Sequence, residues 1–131
     1  QSRRRQNCQR RTRKTTKMKI DLIDSTGQGA LSKKNLELWI KDELQKHSYD
    51  NDWLVEVLVV DKLKMRLLNK KYRQIDKATD VLSFPQFNPP HKEGNGAILG
   101  SIVLCPEAFG EQKEEELVRH GVKHLIGIHH K

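Results

Sequence analysis

Three things are scarce in this chain of 131 residues, and each scarcity closes off a class of protein. There are only two cysteines, Cys8 in a polar stretch and Cys105 at the end of an apolar one. That pattern does not suit a disulfide scaffold, so a reducing compartment is expected. No apolar run approaches the roughly 20 residues that a membrane helix needs, and none reads as a secretory leader, so no membrane partner is expected. Aromatic residues make up 5% of the chain, beside 35% hydrophobic and 32% charged residues. This composition predicts one soluble, polar domain, long enough to bury a core.

Acidic residues are missing from one place only. Residues 1–17 carry eight Lys or Arg and no carboxylate, whereas residues 18–131 carry 17 of each sign. The net charge of +8 therefore belongs to the first segment, and the body is neutral. Such a segment has nothing to bury and is expected to be a disordered basic extension, able to add non-specific affinity for RNA phosphates. It is arginine-rich like an organelle transit peptide, but lacks the apolar residues of an amphipathic presequence. Met18 is a natural start for the folded part.

The body reads as alternating strands and helices. Lys19–Ile23 alternates as a strand, and a turn cluster follows at Asp24–Gly29. Ser32 is placed to cap a helix reaching about Lys46, with Leu36, Trp39, Ile40 and Leu44 as its inner stripe. His47 then reads as a solvated helix end. Leu54–Val60, rich in β-branched residues, predicts the strongest strand, buried on both faces. Asp61 can cap a helix from Lys62 to about Arg73, with Leu63, Leu67 and Leu68 inward. Val81–Pro85 predicts a short strand whose proline suits an edge or an exit. Gln86–Gly96 is a loop, and Ala97–Cys105 a further strand in which Gly100 marks a bulge or a close approach. A last helix is expected from Glu111 to about Ile126, its acidic first turn matching the helix dipole. Together these predict an α/β (α+β) domain, with helices packed on a mixed sheet of about four strands.

The chemistry gathers at the end of that helix. His120 and His124 are four apart, so both imidazoles leave one helical face a turn apart. Gly127 can stop the helix in a left-handed cap and turn the chain, bringing His130 back toward the pair. Three imidazoles around one point with a fourth position open suit a catalytic zinc. The spacing is that of the long zincin pattern, except that Gly121 stands where a protease carries its general-base Glu. That difference argues against peptide hydrolysis.

Two stretches together, Leu68-Asn69-x-x-Tyr72-Arg73-x-x-Asp76-x-x-Thr79-Asp80-Val81-Leu82-Ser83-Phe84-Pro85 and His120-Gly121-x-x-His124-Leu125-x-Gly127-x-x-His130, with Leu99-Gly100-x-Ile102 between them, closely resemble the YbeY family. The resemblance covers roughly residues 18–131. It implies a zinc-dependent, single-strand-specific endoribonuclease of rRNA maturation and ribosome assembly, working on RNA at the small ribosomal subunit. The expected location is the bacterial cytoplasm, or an organelle if the source is eukaryotic. It further implies one zinc per chain on His120, His124 and His130, Arg73 as the basic residue of the active-site cleft, and Arg73 and His120 as the catalytic residues. Thr79 and Asp80 would shape the loop beside the metal helix, and Ser83 and Phe84 would pack the strand. Three departures stand out. His129 replaces the Asp that usually precedes the third histidine and offers a competing ligand. Ser101 replaces the Asp of a Gly-Asp-Ile strand motif, a carboxylate that could have oriented the histidines. The chain also ends one residue after His130, where family members generally continue into a further helix. The alternative is a non-catalytic ribosome-associated RNA-binding factor in which zinc staples the last turn, with a metalloprotease as a more distant one.

Overall fold

The computed structural model describes residues 19–50, 52–86, 94 and 96–128. The basic extension expected over residues 1–17, His129 and His130 all lie outside the described residues.

The elements follow in the order β1 (Lys19–Asp24), α1 (Lys33–Lys46), β2 (Leu54–Val59), α2 (Lys62–Arg73), β3 (Val81–Pro85), β4 (Ile98–Leu104), a 3₁₀ turn (Pro106–Ala108) and α3 (Glu114–Leu125). They build a mixed four-stranded sheet in the order β1-β2-β4-β3. The first three strands run parallel, and β3 pairs antiparallel to β4 at the edge. This is the expected architecture, with Pro85 ending the edge strand, where its missing N–H leaves no ladder bond unmade.

Both helix starts are dictated locally. The Ser32 hydroxyl accepts from the Asn35 amide at 3.3 Å, and the Asp61 carboxylate accepts from the Lys64 amide at 2.9 Å. Each satisfies a donor that the first helical turn leaves without a partner. From α1, Leu36, Ile40 and Leu44 are fully buried against the sheet. Burial of each stabilises the fold by roughly 1.5–3 kcal/mol. The main core lies between α1, α3 and the sheet face formed by Val55, Val57, Ile102 and Leu104. Strand β2 is fully buried on that face and only half-buried on the other, so the expectation of two buried faces is met on one.

The other sheet face carries a smaller cluster of Val60, Met65, Leu82, Val103 and Cys105 under α2. The inner stripe of α2 is therefore Met65, Leu68 and Asn69, and the expected inward Leu63 and Leu67 are exposed instead. The phase of the helix is fixed at both ends. Glu107 accepts the Lys62 amide at 3.0 Å, and buried Asn69 donates to the Lys77 carbonyl at 2.8 Å.

The pairing of β2 with β4 shifts by one residue at Leu99, so β4 bulges just before Gly100. Gly100 is needed at that point. A Cβ would sit 2.5 Å from the Phe84 carbonyl and 2.7 Å from Leu125, and its φ of 159° disfavours other side chains. The bulge and the close approach expected at this glycine are both present.

Candidate functional site

Helix α3 is held at two points before any functional side chain is considered. On one side Arg119 reaches α1: its Nη1 donates to Asp42 at 2.7 Å and to Glu43 at 3.1 Å, while its Nε donates to Glu115 at 2.9 Å. Glu43 is buried, and Lys123 and His47 also approach its carboxylate, at 4.0 and 3.2 Å. His47 thus ends α1 against a buried acid rather than in open solvent. The hydrogen bond from Arg119 holds Asp42 below its ordinary carboxyl range, against a smaller opposing effect of burial. On the other side the Ser83 hydroxyl donates to the Gly121 carbonyl at 3.2 Å, tying edge strand β3 to α3.

Gly121 explains why no zincin carboxylate could stand at its position. It is buried in the contact between α3 and the sheet, where an added Cβ would lie 3.2 Å from Ile102 and 3.3 Å from the Ser83 hydroxyl. A Glu there would be driven into the core, away from the cleft. The residue that sequence spacing flagged as a missing base is a packing glycine.

His120 and His124 leave the helix as predicted. Their rings lie with centroids 4.4 Å apart and planes inclined at 56°. The end of α3 also matches expectation. Gly127 has φ 84°, its amide bonds the His124 carbonyl at 3.2 Å, and the Ile128 amide bonds the Lys123 carbonyl at 2.8 Å. These two reversed bonds form a Schellman cap, which turns the chain as it leaves the helix. The third proposed ligand, His130, and its neighbour His129 lie outside the described residues, and the described residues alone bring no three metal-ligating side chains together. The two imidazoles that are described fit a zinc site in donor type and spacing.

Both histidines open into a cleft of two lobes. One lobe, about 510 Å³, is lined by Arg73, Thr79, Asp80, Val81, Gln112, Glu116, Leu117 and His120. The other, about 430 Å³, is lined by Tyr72, Arg73, Val81, Leu82, Ser83, Phe84, His120 and His124. Arg73, Val81 and His120 border both and form the waist. Arg73 is exposed and, among the described residues, engages no carboxylate. The other two described arginines do, Arg66 binding Asp76 at 2.6 Å and Arg119 its three acids.

Arg73, His120 and His124 all line one cleft. Thr79 and Asp80 line it too; the Thr79 hydroxyl lies 3.4 Å from the Asp80 carboxylate, and the Asp80 carbonyl accepts the Cys105 amide at 2.9 Å. Ser101 lies elsewhere. Its neighbour Ile102 faces α3, so Ser101 points from the opposite sheet face, where its hydroxyl donates to Glu56 at 2.8 Å. Strand alternation alone carries it away from the histidines, so its replacement of Asp does not bear on their orientation. Gln112 and Glu116 were not anticipated as cleft residues. The one available signal was Glu116, four residues before His120 and hence on the same helical face.

With this geometry established, comparison with known proteins is direct. Residues 19–131 match the family described as Endoribonuclease YbeY. The Endoribonuclease YbeY of Cellvibrio japonicus is 33% identical over 126 residues, spanning 88% of this chain and 70% of that protein. That of Sulfurimonas denitrificans is 42% identical over 86 residues, spanning 58% of each. A Thermotoga maritima protein solved in solution superposes with a TM-score of 0.52 at 27% identity, covering 86% of this chain and 75% of that one.

Proposed function

The chain belongs to the YbeY endoribonuclease family, and from that premise we propose that it cleaves single-stranded RNA by zinc-assisted phosphodiester hydrolysis. The observation that carries the reading is the waist of the cleft, where the Arg73 guanidinium, engaged by no described carboxylate, shares the site with the imidazole of His120. A planar, permanently charged fork offers paired donors to a phosphodiester and gains strength as charge accumulates on its oxygens. Keeping that fork clear of carboxylates leaves its donors available for a substrate phosphate.

His120 and His124 would hold the zinc, with His130 as the third ligand after the turn at Gly127. Zinc in such a site supplies Lewis-acid polarisation of the phosphoryl group and activation of water near neutral pH. The protein's own part is positional. Ser83 ties β3 to α3 and Arg119 ties α1 to α3, which fixes the helix that carries the imidazoles, while Asn69, bonded to the Lys77 carbonyl, anchors the end of α2 that carries Arg73. Glu116 and Asp80, in the first lobe, keep a second phosphate from settling there. Peptide hydrolysis is not supported, because position 121 is packed against the sheet. Ribosomal RNA at the small subunit is the proposed substrate, in the bacterial cytoplasm or an organelle, with the basic residues 1–17 adding phosphate contacts.

The test is cleavage of a labelled single-stranded RNA by protein with measured zinc content. Activity should vanish in EDTA and return with zinc; full activity in EDTA overturns the zinc role. His124→Ala should abolish cleavage while leaving thermal unfolding and RNA affinity in place. If that variant unfolds instead, the metal is a structural staple and the non-catalytic RNA-binding reading replaces this one.

A further inference from the structure

The second lobe differs in kind from the first. Beyond the shared Arg73, Val81 and His120, it adds Tyr72, Phe84, Leu82, Ser83 and His124, whereas the first lobe adds Asp80, Glu116, Gln112, Thr79 and Leu117. In a chain with so few aromatic residues, nearly all the described ones are spent on packing. Trp53 and Tyr49 are buried, and Trp39 and Phe109 pack against the core. Tyr72 is the exception, 52% exposed. Its position is nonetheless defined, since the rings of Tyr72 and Phe84 meet edge to face with centroids 5.2 Å apart and planes at 66°. The Lys71 ammonium stands 5.2 Å from the Tyr72 ring centre. Phe84 follows Ser83, the residue bonded to Gly121, so by strand alternation its ring leaves β3 on the opposite sheet face, beside Ser101, and with Tyr72 it borders the second lobe from that side.

We propose that Tyr72 and Phe84 form a seat for one unpaired nucleobase, next to the phosphate held at Arg73. The inference deepens the endoribonuclease reading and rests on it for the identity of the chain that enters the cleft. The chemistry of the lobe selects its occupant. An inorganic anion would make no use of an aromatic and aliphatic wall, and a purely apolar ligand would make no use of the adjoining guanidinium. A flat, uncharged ring joined to a phosphodiester uses both. The aromatic and aliphatic wall itself offers only the Tyr72 hydroxyl for hydrogen-bonding readout, because the serine hydroxyl beside it is already donated to the Gly121 carbonyl. Recognition is therefore by stacking, which accepts any base. It does require a base whose face is uncovered, and a duplex denies that, so the seat supplies single-strand preference at the cleft itself.

The experiment uses full-length protein as purified and a short single-stranded RNA carrying one fluorescent adenine analogue, whose emission falls on stacking. Stopped-flow mixing reads the stacking phase before any cleavage. The wild type and Tyr72→Phe should quench the probe, while Tyr72→Leu should lose the quenching and bind about tenfold more weakly. In steady-state cleavage the Leu variant should raise KM by a similar factor with little change in kcat. A second measurement needs no variant: an RNA abasic at the probe position should bind wild-type protein about tenfold more weakly than the intact strand. Equal quenching by Tyr72→Leu, or equal affinity for the abasic strand, overturns the seat. If the protein cleaves RNA but these differences are absent, the nuclease reading stands and the seat falls. If Tyr72-dependent quenching appears without cleavage, the seat stands and the nuclease reading falls.

Discussion

Arg119, on α3, and Arg73, at the end of α2 across the cleft, have opposite surroundings. Arg119 spends its guanidinium on Asp42, Glu43 and Glu115, and in doing so fastens α3 to α1. Arg73, across the cleft, meets no carboxylate among the described residues and faces the open waist beside His120. The two positions divide labour by one electrostatic rule. A buried acid such as Glu43 is tolerable only while its partner remains, so Arg119 is committed to structure. A cation whose donors are unspent is cheap to keep at an exposed rim and valuable when a phosphate arrives. Ion pairing thus separates the frame from the tool better than burial or charge alone.

The sharpest way to break this contrast is Arg119→Ala, which leaves the buried Glu43 carboxylate with only Lys123 and His47 beside it. Urea unfolding should show a loss of about 3 kcal/mol. A loss below about 0.5 kcal/mol would mean that the clamp contributes little. Next in size, Arg73→Ala should slow RNA cleavage by about 10²-fold, the usual cost of one charge-stabilising donor, while the urea midpoint stays in place. A matching fall in stability would make Arg73 a structural residue like its counterpart. Gly127→Ala should cost about 1 kcal/mol, because a side chain at φ 84° is strained, and should lower zinc uptake by disturbing the turn that leads to His130.

The smallest effect concerns acid. Arg119 depresses the Asp42 carboxyl below its ordinary 3.8. The folded state therefore binds that proton less readily than the unfolded chain, and stability slopes downward only as pH falls below about 4. Above that pH the contribution is complete. Stability measured against pH should show a shallower acid limb in Arg119→Ala than in the wild type.

What could be read from the sequence was whatever is decided within a few residues. Ser32 and Asp61 cap because their side chains reach amides three residues on, and Gly127 caps because only glycine takes its φ without strain. His120 and His124 share a face by helical period alone. What was illegible depends on partners far along the chain. The burial of Glu43 has no local signal in the sequence and makes sense only with Arg119, 76 residues later. Helix α2 was expected to turn Leu63, Leu67 and Leu68 inward, and the contacts of Asn69 with Lys77 and of Lys62 with Glu107 rotate it so that Met65 and Leu68 face the core instead of Leu63 and Leu67. Ser101 was misplaced for a simpler reason. The sheet face a strand residue occupies follows from register, and register here includes a bulge at Leu99.

The edge position of β3 has a further consequence. A cleft built beside the last strand of a sheet exposes a row of backbone amides and carbonyls, which would ordinarily invite another chain to pair with it. This strand is only five residues long and closes on a proline, so it makes a poor template for cross-chain pairing. Among the described residues, the strand beside the cleft thus leaves only a short row of backbone groups for another chain to pair with.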